Sequence, residues 1–255
     1  MDHSLAQEVH AWIADDPDPT TAAQLQQWLD AGNESELRAS FNGFLQFGTA
    51  GLRGPIRPGP SGMNRAVVGR AASGIVAYMK ERNLTSVVIG RDARYGSEDF
   101  TFETAEIMSG AGMKVYVLPR PLPTPVLAFA TNELKCDVGI MVTASHNPPQ
   151  DNGYKVYLGD GRQIVPPADK NISTRIREIN DVRQVAKAQN VTVVDTSVEE
   201  RYIATLAQAI NEGPTSTLQR ADVVSVYTAM HGVGWNSVHE ATLHCDFKVP
   251  YAVME

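Results

Sequence analysis

Between residues 86 and 145 the sequence alternates short β-branched runs with amphipathic stretches, and this alternation limits the fold more than any other feature. "SVVIGRDA" and "MKVYVLP" read as strands, while "SEDFTFETAEIMSGAG" between them places Phe100, Ile107, Met108 and Ala111 on one helical stripe. A helix over "TPVLAFATNEL" follows, and then "CDVGIMVTAS", a nearly unbroken apolar run of the kind a strand needs when both sheet faces are covered. Strand and helix in regular exchange predict an α/β fold: a mixed, mainly parallel sheet sandwiched by helices.

The remainder is organised around that core. The first 45 residues read as short amphipathic helices, with Leu25, Trp28 and Leu29 at helical spacing before Gly32. A loop dense in glycine and proline, "FGTAGLRGPIRPGPSG", leads into a helix with Met63, Val67, Ala71, Ile75 and Tyr78 on one face. Another helix is predicted near "PPADKNISTRIREIN", followed by the polar stretch "DVRQVAKAQN" and an amphipathic helix through Val198, Tyr202, Leu206 and Ala209. "ADVVSVYTAMHGVG" then starts a new strand and glycine turn. These changes predict a helical lead-in over residues 1–45, a first α/β domain over 46–197, and the start of a second, similar domain over 198–255.

Composition narrows the partners. With 22 basic against 29 acidic residues and a formal net charge of -7, the chain carries no basic footprint for nucleic acid. No apolar run approaches a membrane span and no signal peptide opens the chain, so a cytoplasmic protein is expected. Cys136 and Cys245 read as small buried hydrophobes. Asp16 and Asp18, in "DDPDP", read as solvated helix caps.

Chemistry concentrates in "MVTASHNPPQDNGYKVY", residues 141 to 157. An apolar strand that closes on small polar residues delivers them to the sheet's rim, where open α/β proteins bind their ligands. Ser145 alone reads equally as a turn or helix cap. As a hydrolase nucleophile it lacks the Gly-x-Ser-x-Gly elbow, and His146 cannot fold back onto its own neighbour. "GTAGLRG" adds a glycine-rich loop holding Arg53, whose planar fork suits a phosphate. "HGVGWNS" only half matches a dinucleotide fingerprint.

Taken together, "TASHNPP", "NGYKVY", "FGTAGLRG" and "GRDAR" resemble the α-D-phosphohexomutase superfamily of phosphoglucomutases and phosphomannomutases, in the order that family shows. The resemblance implies a phosphohexomutase that interconverts hexose 1-phosphate and hexose 6-phosphate through a phosphoserine and a 1,6-bisphosphate. It implies Ser145 as the residue that carries the phosphoryl group and, through that phosphate, a ligand of Mg²⁺. Lys155 would be the general acid/base, Arg53 the cation over the transferring group, and His146 a hydrogen-bonding assistant. Thr49, Arg53, Asn147 and Lys155 would contact substrate. Arg91, Asp92 and Arg94 would form an ion-paired support, and His231 is given a structural role. Small sugar phosphates are the partners implied, with a sugar 1,6-bisphosphate as activator, no nucleic acid, no membrane and no particular oligomeric state. The family's Asp-Gly-Asp-x-Asp-Arg metal loop does not occur in this sequence, nor do its third and fourth domains, so the chain is expected to be an N-terminal part that is inactive alone. The alternatives are a phosphopentomutase of the same superfamily and a non-catalytic sugar-phosphate binding module. Retention of both a nucleophile and a proton carrier argues against the module.

Overall fold

The computed structural model describes residues 3–179 and 181–253. The ends of the expected lead-in (residues 1 and 2), of the helix expected to reach residue 180, and of the second domain (254 and 255) lie outside the described residues.

Three helices open the chain: α1 (His3–Asp15), α2 (Pro19–Asp30) and α3 (Glu34–Ser40). They bury Leu5, Val9, Leu25, Leu29 and Leu37 in a small core of their own. Asp18 caps α2 by accepting the Thr20 N–H at 2.9 Å, which satisfies a donor that the first turn leaves free. Asp16 differs from the solvated cap expected. It accepts from the Asp18 N–H and the Thr21 hydroxyl, and burial pushes its carboxyl pKa up.

The main sheet follows. In chain order its surroundings are β1 (Leu52–Pro55), α4 (Arg65–Glu81), β2 (Ser86–Arg91), α5 (Ser97–Gly110), β3 (Lys114–Val117), α6 (Thr124–Glu133), β4 (Val138–Val142), β5 (Asp151–Leu158), α7 (Ala168–Glu178) and β6 (Val191–Val193). The strand order is β1-β5-β4-β2-β3-β6. β4, β2, β3 and β6 run parallel, whereas β5 is antiparallel to both β4 and β1. All five residues of β4 are buried, as a central strand covered on both faces requires. One face packs on α4, α5 and α7 through Val87, Ile89, Ile140 and Tyr154. The other packs on α6 through Val88, Met141 and Tyr157, with Cys136 in the same cluster. Burial raises the Cys136 thiol pKa to about 12, consistent with an inert core thiol.

Beyond the sheet lie α8 (Ser197–Asn211), α9 (Thr217–Ala221), β7 (Val226–Tyr227), α10 (Trp235–His244) and β8 (Tyr251–Ala252), with β7 and β8 paired in parallel. α8 packs on both α6 and α10. Its buried residues are Val198, Glu199, Ile203 and Ala207, so the stripe is rotated from the one the spacing predicts, and Ala209 is exposed. The rotation lets Glu199 accept from Arg120, in the β3–α6 connection, and from the Ser237 hydroxyl of α10 at 2.7 Å. Cys245 is buried in this part, and the Arg220 guanidinium donates to its carbonyl at 2.8 Å. Among the described residues no helix is long and apolar enough to cross a membrane.

Candidate active site

β4 ends inside the molecule and its continuation emerges from it: Thr143 and Ala144 are buried, Ser145 and His146 exposed. Ser145 sits at φ 60°, in the left-handed region. For a residue with a Cβ this conformation costs on the order of 1–3 kcal/mol, so neighbouring contacts must impose it. Locally, the Ser145 N–H donates to the Thr143 hydroxyl at 2.9 Å and the Asn147 N–H to the Ala144 carbonyl at 3.1 Å. Asn147 is held by donating its side-chain amide to Asp151 at 2.9 Å.

The decisive brace is Arg94. Its guanidinium donates to four carbonyls of the turn: Ser145 and Asn147 at 2.8 Å each, Pro148 at 2.8 Å and Asp151 at 3.1 Å. Asp92 orients that fork, its carboxylate lying 3.3 Å from the Arg94 Nε while accepting the Arg94 N–H and the Ser97 hydroxyl. The expected Arg91–Asp92–Arg94 support is thus a carbonyl clamp by Arg94 and Asp92. Arg91 pairs instead with Glu98 at 2.8 Å. Replacing Arg94 by alanine is expected to lower stability by about 2–4 kcal/mol, since hydrogen bonds to a charged donor contribute about 1.5–3 kcal/mol each and this site is partly solvated. Any phosphoryl transfer at Ser145 should fall about 10²-fold, the effect of a displacement near 1 Å. Denaturant melts and a transfer assay on the same preparation check both, and an unchanged rate would show that the turn keeps its geometry without the clamp.

Sheet pairing brings the remaining groups to this rim. Arg53 on β1 stands opposite Gly153 on β5, and the Gly153 carbonyl accepts the Thr143 N–H at 2.9 Å. Arg53, Gly153 and Thr143, the residue just past β4, therefore form one row, two residues short of Ser145. Glycine is needed in the row: a Cβ at 153 would lie 2.5 Å from the Thr143 carbonyl and 3.1 Å from the Arg53 side chain. Lys155 lies on the same sheet face, opposite Met141, and is 9% exposed. Burial lowers its pKa, the neighbouring Arg53 guanidinium lowers it further, and Asp92 partly opposes both. The Arg53 Nε is buried with no hydrogen-bond partner, a donor ready for an anion. Gly48 and Gly51 exchange both backbone hydrogen bonds, which makes a tight turn with Thr49 exposed at its tip. The Thr49 carbonyl is held by the Gln163 side chain at 2.8 Å. Ser145, His146, Asn147, Arg53 and Lys155 thus converge on one rim. His231 is exposed in the turn after β7.

Asn152 was not singled out by sequence. It is fully buried and donates to the Tyr95 carbonyl and the Ser97 hydroxyl, tying β5 to the turn before α5. Its signal was the Asn-Gly pair just before Lys155. Among the described residues no group of three or more His, Cys, Asp or Glu is placed to hold a metal ion. Asp92 is engaged by Arg94 and Ser97, and Asp151 by Asn147. Mg²⁺ demands near-octahedral oxygen ligation, and a single seryl oxygen does not supply it, so these residues do not by themselves form a Mg²⁺ site.

The profile of the phosphoglucomutase/phosphomannomutase α/β/α domain I family matches residues 45–183, from the segment before β1 to the turn after α7, and so contains Arg53, Arg94, Ser145 and Lys155. The chain belongs to this phosphoglucomutase/phosphomannomutase family. Among its relatives, a Haemophilus influenzae protein described as "Probable phosphomannomutase" is 44% identical over 200 residues, 76% of this chain and 40% of that protein. The phosphopentomutase of Mus musculus is 34% identical over 99% of this chain and 43% of its own length. The crystal structure of a Thermus thermophilus protein assigned to the phosphomannomutases superposes with a TM-score of 0.71 at 28% identity, covering 82% of this chain and 45% of that one. The chain therefore spans less than half the length of these relatives. The mixed six-stranded sheet flanked by helices is the α/β architecture expected of the family.

Proposed function

We propose that this chain carries the phosphoryl-transfer rim of a sugar-phosphate mutase, with residues 46–197 as its first domain and 198–255 as the start of a second. The observation that carries the reading is an exposed Ser145, fixed in a left-handed turn by the Arg94 clamp, on the rim where Arg53 and the buried Lys155 converge. In the forward half-reaction the phosphoSer145 Oγ–P bond breaks as a sugar hydroxyl oxygen bonds to phosphorus, and the hydroxyl proton passes to neutral Lys155 Nζ. The bisphosphate then reorients. Its other phosphoryl group returns to Ser145 Oγ, and Lys155 gives its proton to the departing sugar oxygen. Arg53 offsets the charge on the equatorial phosphoryl oxygens. His146 hydrogen-bonds beside the phosphoserine, Asn147 holds the turn and reaches substrate, and Thr49 meets substrate from the 48–51 turn. Mg²⁺, when bound at a phosphoserine, would neutralise phosphate charge, with ligands from outside the residues described here. A sugar 1,6-bisphosphate would prime an unphosphorylated Ser145.

Two substrates fit. The Haemophilus influenzae relative, more identical over a shorter stretch, favours a hexose phosphate, and the Mus musculus phosphopentomutase, matching nearly the whole chain, favours a pentose phosphate. The enzyme carrying this domain, isolated from its cells, is expected to hold one covalent phosphate, on the peptide containing Ser145. Peptide mass mapping checks this, and phosphate found only on other peptides removes the nucleophile assignment. Chase of that phosphate with hexose 1-phosphate against pentose 1-phosphate decides between the substrates.

A further inference from the structure

The sequence holds two Asn-Gly pairs, Asn42-Gly43 and Asn152-Gly153, and the fold puts them in opposite environments. An asparagine before glycine is open to attack on its own side-chain amide, because glycine has no Cβ to keep the following backbone nitrogen away from the asparagine Cγ. Asn152 is protected. It is fully buried in β5, its amide nitrogen donates to the Tyr95 carbonyl at 2.7 Å and the Ser97 hydroxyl at 3.0 Å, and Gly153 is fixed by pairing with Arg53. Asn42 has none of these restraints. It lies in the bend over residues 41–43 that follows α3, and both it and Gly43 are exposed to solvent. Among the described residues neither its side chain nor the Gly43 N–H has a hydrogen-bond partner. Gly43 stands at φ 82°, and a Cβ built there would meet nothing within 4 Å, so its surroundings are open.

We propose that Asn42 is a deamidation site, converting with time to isoaspartate and aspartate. The Gly43 nitrogen gives up its proton to solvent base and bonds to Asn42 Cγ, the Cγ–Nδ2 bond breaks, and the amide leaves as ammonia, closing a succinimide. Water then opens the ring. Opening at the backbone carbonyl leaves the main chain running through the side chain as isoaspartate, and opening at Cγ gives aspartate. The balance is one water taken up and one ammonia released, so solvent is the only co-reactant. This chemistry is independent of the sugar-phosphate reading. Its consequence comes from the neighbours of position 42. Trp12 of α1 has the Phe41 ring 6.2 Å and the Phe44 ring 6.3 Å away, centroid to centroid, and it packs against both the lead-in core and the main core. Isoaspartate lengthens the main chain by one atom between those two rings, so they no longer grip the indole with one geometry. The modification therefore loosens α1 from the sheet, whereas aspartate adds only charge.

The test is peptide mapping of the protein carrying this chain, fresh and after incubation at mildly alkaline pH. Trypsin releases residues 39–53, in which Asn42 is the sole asparagine, and residues 136–155, which contain Asn152. On incubation the 39–53 peptide is expected to gain the mass difference between an acid and an amide and to become a substrate for an isoaspartyl methyltransferase, while the 136–155 peptide does not change. In urea both should convert, because only the fold separates the two pairs. Asn42→Gln, which would have to close a larger ring, should abolish the change in 39–53. Hydrogen exchange over α1 should quicken in the isoaspartate form and stay parental in Asn42→Asp. The proposal is overturned by a native 39–53 peptide that does not change, by a change that persists in Asn42→Gln, by native Asn152 converting as fast as Asn42, or by α1 exchange that is the same in the isoaspartate form as in fresh protein.

Discussion

Ser145→Ala in the mutase carrying this domain is expected to lower phosphoryl transfer by roughly 10⁴-fold or more, because the acceptor oxygen of the covalent step is gone and no general base can replace it. Folding should be spared, since Ser145 is exposed and its anchoring bonds run through its backbone N–H and carbonyl. Ser145→Gly sharpens the test. At φ 60° a glycine relieves strain that serine and alanine share, so this variant should be more stable than the parent by about 0.5–1 kcal/mol while transferring no phosphate. A residue with a purely structural role would not show rising stability with vanishing turnover. Turnover near that of the parent in either variant would end the nucleophile assignment.

Legibility in the sequence followed the range of the interactions involved. β4 and the middle of β2 were readable because both faces are buried and residues 138–142 and 87–90 are all apolar, while β3 was readable as a short β-branched run. α4 was readable because Val67, Ala71, Ile75 and Tyr78 all face the core. β1 was not: it is a four-residue edge strand ending on Pro55 within a glycine- and proline-rich loop, and only its pairing with β5 makes it a strand. β6, three residues long and largely exposed, carries no periodicity to detect. α8 was legible in part. Val198 is buried and Tyr202 packs on Phe129 as the spacing implies, but the buried positions further along are Ile203 and Ala207, on the face where Glu199 accepts from Arg120 and Ser237.

The candidate site divides in the same way. Ser145, Lys155 and Arg53 stand in the short motifs that carry the family resemblance, and that resemblance, rather than any one residue type, implies their phosphate chemistry. What places them together is long-range: the row from Arg53 through Gly153 to Thr143 exists only because β5 reverses direction between β4 and β1. The role of Arg94 was hidden for a related reason. Its partners are backbone carbonyls more than fifty residues away, and carbonyls leave no mark in a sequence.

Lys155→Met is expected to lower transfer by about 10²–10⁴-fold, the range for loss of a general acid/base, and to raise the melting temperature at neutral pH. Both follow from one environment. Burial and the Arg53 guanidinium favour the neutral amine, so the folded pKa lies below that of the unfolded chain, near 10.4 for an ordinary lysine. Between those two values the unfolded state binds more protons than the folded one, so this group's contribution to stability rises with pH across that window. Below the folded pKa the charged amine destabilises the fold in full, and above the unfolded pKa the penalty has gone. Methionine, similar in length and without charge, removes the penalty, so the stability gap between variant and parent should be widest below the folded pKa and close as pH rises through the window. Lys155→Arg separates charge from proton transfer: the guanidinium stays protonated, so the variant keeps a cation beside the phosphate yet should transfer no faster than Lys155→Met. Melting curves across pH on the three proteins, with transfer rates on the same samples, test the linkage; a stability gap independent of pH, or an arginine variant with parental turnover, would reduce Lys155 to a charge at the rim.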